Sequence, residues 1–320
     1  MKKLLSIAVL AALGAAGQAQ ASITVNIDPD AGGSNSALNV GTLDWTVGNA
    51  LSVANSGESL AAGRTGVGQT FTTYAMARLS TFNDGAGDPV FLPSTYEWTF
   101  VAGFREVFTQ VSFPLGAGAS KFNIVGSAAA ADNFFEIYVS AKDSSNLTGK
   151  NYNNGIRVLW GHFINGGGTF TADESANPND AAGTPEIGAL DQFGSNNYAG
   201  INTIIGGGRT QGTVAVDGVD GSYFLGTPSS LSLNFTSEQT LAYKQTDPAA
   251  CFWTGAGYLG GAGNADCANT IGTLNGISGP NIQLQADASS SFDGRVPEPG
   301  SLALLGLGFV AFGAMRRKAV

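Results

Sequence analysis

The chain has 320 residues, 43% of them apolar, with 15 Lys and Arg against 24 Asp and Glu. Five of the basic residues stand at positions 2, 3, 316, 317 and 318, so ten face all 24 acids in between, a formal charge near −14. A surface this acidic repels nucleic acid and anionic lipid, which excludes both as expected partners; the 46 glycines have no three-residue period, which excludes collagen.

The first element is Met1-Lys2-Lys3, an apolar run over 4–17, and the small residues of Ala19-Gln20-Ala21. Basic start, apolar middle and small-residue exit predict a secretory signal peptide over residues 1–21, removed by signal peptidase so that the mature protein begins near Ser22. The apolar run is too short to be retained as a spanning helix.

Beyond the cut, alternating or β-branched and aromatic runs predict strands at 23–27, 42–47, 69–74, 95–101, 105–111, 121–125 and 134–140. Further strands are expected at 156–164, 201–205, 213–216, 231–236, 241–244 and 282–285. Turn signals such as Asn83-Asp84-Gly85, Asn153-Asn154-Gly155 and Asp217-Gly218 separate them. No stretch holds a helical apolar period for 12 residues, and 128–131 has room for one helical turn. Residues 171–192 form the longest connection, either an excursion or a boundary between two sheets. Short strands with Gly-rich turns predict an all-β exported domain over 22–294, an antiparallel β-sandwich of jelly-roll type.

Cys251 and Cys267 are the only cysteines. In an oxidising compartment a pair at this spacing is expected to form a disulfide, closing a loop of about 16 residues and contributing on the order of 3 kcal/mol. The loop contains Trp253 and Tyr258, the aromatics best placed to contact a glycan. Trp45, Trp98 and Trp160 fall on predicted strands, where aromatics usually pack in the core.

His162 is the single histidine. It lies in a strand-like run beside Trp160 and is expected to be a packed or rim residue; no Gly-x-Ser-x-Gly elbow accompanies it. No catalytic residue is assigned, and the protein is expected not to be an enzyme. Glu97, Glu106, Glu136 and Asp191 are the carboxylates that a glycoside-cleaving pair would draw on, though nothing in the pattern marks two of them. The letters Gly255-Ala256-Gly257-Tyr258-Leu259-Gly260 match a dinucleotide loop but lack the strand-to-helix setting that gives it meaning. No cofactor is assigned. Calcium candidates are the acidic turns with Asp84 and Asp88, Asp217 and Asp220, Asp28 and Asp30, and the Gly-rich run 260–266; turn chemistry alone also puts Asp and Asn at such places.

The chain ends in Pro297-Glu298-Pro299, an uncharged run from Ser301 to Met315, and the basic cluster Arg316, Arg317 and Lys318. The prolines break any helix or central strand. As a helix the run rises roughly 22 Å against about 30 Å of hydrocarbon, short for a span but sufficient for an anchor over a thinned bilayer. The three cations would stay on the cytoplasmic side. An ordinary membrane anchor would give this topology too, but the order of parts over residues 295–320 resembles the PEP-CTERM sorting signal of Gram-negative bacteria. The resemblance implies recognition by an exosortase, a membrane cysteine peptidase that removes the tail and releases or re-anchors the protein. The precursor would sit in the inner membrane, at least transiently, and the product at the outer surface or in the extracellular matrix.

Gly68-Gln69-Thr70-Phe71-Thr72 and the closing segment 283–292 are similar to flocculation-associated PEP-CTERM proteins of floc-forming bacteria. That resemblance implies contact with exopolysaccharide or a cell-surface glycan, and a role in flocculation or biofilm. The alternatives are a secreted polysaccharide-processing enzyme and a calcium-dependent carbohydrate-binding module.

Overall fold

The computed structural model describes residues 24–32, 37–55, 60, 66–84, 86, 88–111, 117–126, 128, 130–146, 148–189, 202–238, 249, 251–260 and 281–293. The signal peptide, Asp191, the predicted strand at 241–244, Cys267 and the whole sorting tail, with its expected membrane helix, lie outside them. The described residues contain no helix, and the expected turn of helix at 128–131 is absent from those of its positions that are described.

Fifteen strands are present among the described residues. Those that build the body are β1 (Val25–Ile27), β2 (Leu38–Ala54), β3 (Thr70–Asp84), β4 (Pro89–Phe91), β5 (Tyr96–Gln110), β6 (Gly118–Ile124), β7 (Phe134–Ala141) and β8 (Ile156–Ala172). β9 (Ile187–Ala189) and β10 (Asn202–Ile204) form a small hairpin before β11 (Gly206–Val219) and β12 (Ser230–Glu238). A second hairpin, β13 (Cys251–Trp253) and β14 (Tyr258–Gly260), precedes the last strand, β15 (Ile282–Asp293).

The expected sandwich is corrected to a barrel. Pairing runs β2-β15-β12-β11-β8-β6-β5-β3, and β3 pairs back onto β2, closing eight antiparallel staves. The stave between β5 and β8 is shared: β6 fills it at one end, and β7 fills it at the other. A sandwich needs strands short enough to turn from sheet to sheet, whereas β2 and β8 each run 17 residues without a break. Glycines that read as turns lie inside strands, which is why the strands looked short. Gly103 is in the middle of β5, where a Cβ would lie 2.5 Å from the Phe134 ring. The expected Asp217-Gly218 turn is likewise a bulge within β11, where a Cβ at Gly218 would strike the Trp160 indole at 2.2 Å. The long connection after β8 is an excursion, not a sheet boundary: it returns through β9 and β10 to β11, which pairs with β8 itself.

An eight-stranded barrel is just wide enough for side chains to fill it. Here the filling is aromatic: Trp98, Phe100 and Phe104 follow one another along the inner face of β5, meeting Trp45, Phe82, Phe135, Phe163 and Phe235. Trp45 keeps its indole N–H satisfied by donating to Ser290 Oγ at 2.8 Å. At one end the barrel is plugged by β1 and residues 220–225. Trp98 donates to the Pro29 carbonyl, Asp28 N–H to Tyr223, and Leu225 N–H to Asn26. The β13–β14 hairpin lies outside, where Phe252 packs with Leu51, Met76, Val101 and Tyr152 in a second apolar cluster. Cys251, fully buried, heads this hairpin.

Phe100 is 1% exposed and touches the rings of Trp45, Phe135 and Phe235. Phe100→Ala is expected to lower the unfolding free energy by about 3–5 kcal/mol, the usual cost of an aromatic-sized core cavity. Urea titration measures it, and a loss below about 1 kcal/mol would mean that the interior collapses to fill the gap.

Candidate functional site

Of the carboxylates singled out in the sequence, the three that are described, Glu97, Glu106 and Glu136, do not converge. Glu97, 1% exposed on the outer face of β5, accepts from the backbone N–H groups of Asp143 and Ser144 and from Ser144 Oγ. It lies 3.6 Å from Arg78. Its work is to fasten the connection between β7 and β8. Glu136 is on the outer face of β7, paired with Arg157 at 2.6 Å and accepting from the Tyr138 hydroxyl. Glu106 points the other way, into the barrel. None of the three shares a cleft with another.

His162 is half-buried, its Nδ1 2.8 Å from Asp217 Oδ2 across the β8–β11 ladder, a hydrogen bond on the wall that occupies one oxygen of that carboxylate. The other acidic turns are occupied with their own backbone. Asp84 Oδ1 accepts from Ala86 and Asp88 N–H, Asp220 Oδ1 from Ser222, and Asp30 Oδ1 from Gly32. These are turn-closing contacts of the ordinary Asx kind. Among the described residues no three His, Cys, Asp or Glu side chains are grouped to hold a metal. Trp253 and Tyr258 face each other across the β13–β14 hairpin, ring centroids 5.3 Å apart and edge to face. Both are half-buried, and Tyr258 OH donates to Asn153. The 255–260 run is the turn of that hairpin followed by β14, with Gly255 at φ +85°, and presents no helix N-terminus to a phosphate.

A groove that the sequence reading did not anticipate crosses the outer wall over β5, β6, β8, β11 and β12, with a volume of about 870 Å³. Its floor is Gly166-Gly167-Gly168, where a Cβ would fall 2.3–2.6 Å from neighbouring backbone oxygens, so side chains are kept out by the close approach of strands. Amides and hydroxyls rim it, among them Asn123, Gln211, Asn234 and Thr213. Two exposed cations, Lys121 and Arg209, stand on either side of Thr169 in one cross-strand row. Two strand spacings separate them by about 10 Å. Among the described residues neither has an ion-pair partner.

A family model for the PEP-CTERM protein-sorting motif matches residues 295–318. This chain carries the PEP-CTERM sorting motif. The motif makes it an exported protein, processed at the cell envelope with exosortase as the processing partner. No curated protein and no solved structure matches the chain, so the barrel itself must be read from its own residues.

Glu106, 2% exposed, is a carboxyl buried inside the barrel. Its signal was present in the sequence, since Glu106 alternates with Phe104 and Phe108 on one face of β5. Burial pushes its carboxyl up from 4.5 to about 8, the hydrogen bond from Thr73 opposing this only in part. In the unfolded chain the group ionises near 4.5, so the folded state holds a proton there that the unfolded state has lost. The associated stability is complete below pH 4.5, declines as pH rises toward about 8, and stays lost above it. Glu106→Gln cannot ionise and is expected to remove this decline. Urea unfolding at several pH values should show the native protein losing a few kcal/mol relative to the variant between about pH 5 and pH 9; parallel profiles would contradict the assignment.

Proposed function

We propose that the barrel is delivered by its sorting tail to the outer surface or extracellular matrix, where it holds exopolysaccharide and supports cell aggregation in flocs or biofilm. The observation that carries this reading is the groove. In a body with a formal charge near −14, two cations that have no ion-pair partner among the described residues, beside a glycine floor, favour an anionic polymer. Their spacing is roughly the length of a disaccharide, so uronic-acid carboxylates on successive repeats would meet Lys121 and then Arg209. The amides of Asn123, Gln211 and Asn234 suit sugar hydroxyls. The glycan contact therefore falls on the barrel wall rather than on Trp253 and Tyr258. Single contacts of this sort are weak, and display of many copies on one surface multiplies them. Binding and display, with no bond made or broken, make the protein an adhesin and not an enzyme. In the same export reading Cys251 pairs with Cys267 to staple the outer hairpin.

In strains that differ only in exosortase, the precursor should keep its tail in the inner-membrane fraction when the peptidase is missing. With the peptidase present, intact mass should show a protein trimmed at both ends, lighter by two hydrogens than its reduced form. Recovery of the tail-bearing chain at the outer surface would refute the processing step.

The paired substitution Lys121→Ala with Arg209→Ala is expected to weaken binding to the organism's acidic polysaccharide about tenfold at low salt and to flatten its salt dependence. Unchanged binding in a pull-down would remove the groove from the mechanism. Clean deletion of the gene should disperse aggregates.

A further inference from the structure

The end of the barrel opposite the plug is hollow. There the ring of Leu60, Phe71, Phe108, Phe122 and Ile282 stands at the rim, and a cavity of about 90 Å³ opens beneath it. One water needs on the order of 10–15 Å³ by the same measure, so this is room for several waters or for a short organic molecule. The walls are almost wholly apolar, with Phe104 and Phe235 on the inner side.

One short polar relay crosses this apolar space. Thr73 Oγ1 donates to Glu106 Oε2 at 2.5 Å, and Ser52 Oγ lies 2.8 Å from Thr73 Oγ1. The threonine has one hydroxyl hydrogen and spends it on the carboxyl, so Ser52 must be the donor to Thr73. The relay therefore ends with Glu106 Oε2 satisfied and Glu106 Oε1 buried without a partner. A buried polar atom left unpaired is destabilising, and Glu106 is one of the residues that line the space where a partner could lie. Among the described residues the only other charged group lining the cavity is Arg209, which is exposed on β11, and no Asp, Lys, His, Tyr or Cys lines it.

We propose that the barrel interior is a binding site for a short amphiphile with an uncharged oxygen head, an alcohol or a carbonyl compound, whose head receives a hydrogen bond from Glu106 Oε1 while its alkyl tail lies among the phenylalanines. The protonated carboxyl is a donor on Oε1 because Oε2 is already accepting. A charged head would have to shed its water in an apolar space, which disfavours carboxylates and amines. The site shares Phe122, Thr169, Arg209, Thr210 and Phe235 with the outer groove, but its donor, Glu106, stands on the inner face of the staves and is not among the groove's residues, so the proposal does not depend on the adhesion reading.

The test uses 1-hexanol and hexanoate as probes on the protein purified from its export route, with binding followed by ligand-observed NMR. Hexanol is expected to bind at about pH 6 and to weaken at least about tenfold at about pH 9.5, when the donor is lost by ionisation. Glu106→Gln keeps an N–H donor and should bind hexanol with no pH dependence. Glu106→Leu should lose about tenfold at pH 6, and if it does not fold the pH series on the native chain still decides. Absence of hexanol binding at pH 6 would mean that the cavity holds water alone, and would overturn the proposal. Equal affinity at both pH values, or hexanoate binding more tightly than hexanol at neutral pH through Arg209, would overturn it as well.

Discussion

The structure depends on β2 being held on both sides. One edge of this strand pairs with β3 and the other with β15, and without the second of these the eight staves are an open curved sheet. The partners come from opposite ends of the chain: the Trp45 indole reaches a serine 245 residues away. Closing so long a loop is entropically slow. Until it happens β2 and β12 are bare edges beside an aromatic interior, which is where such a chain is most exposed to misassociation. A protein that crosses a membrane before folding receives this last strand last.

Closure also sorts the interior into two regimes. Toward the plug, ring meets ring and each buried donor has its acceptor, as Trp98 has Pro29 and Trp45 has Ser290. Toward the far end the same inner faces carry Ser52, Thr73 and Glu106, polar groups that close packing alone does not explain. The outer wall makes a parallel contrast. Glu97 and Glu136 are neutralised by arginines on the side of β5 and β7, whereas Lys121 and Arg209 lie open over the glycine floor.

Much of the fold was legible because period-two alternation survives in β5, β6, β7 and β12, and turns such as Asn153-Asn154-Gly155 fall where the asparagines and glycines predict. What was lost was continuity. Gly103 split β5 into two expected strands, and that split hid the fact that Trp98, Phe100, Phe104 and Glu106 share one inner face. Gly166-Gly167-Gly168 ended β8 too early in the same way, and with it went the groove. A glycine in a strand looks in sequence like a glycine in a turn; only the ring or carbonyl lying against it tells them apart. The β2–β3 and β2–β15 closure leaves no local trace at all, which is why an all-β pattern was read as two sheets.

β1 takes up the edge of β2 just where β15 leaves it: Val25 lies opposite Val40 and Ser291 opposite Thr42, about 7 Å along the strand. Entrance and exit of the folded body are thus side by side at the plugged pole. In sequence, the sorting motif at 295–318 therefore follows directly on the sealed base of the barrel, the pole opposite the hollow one.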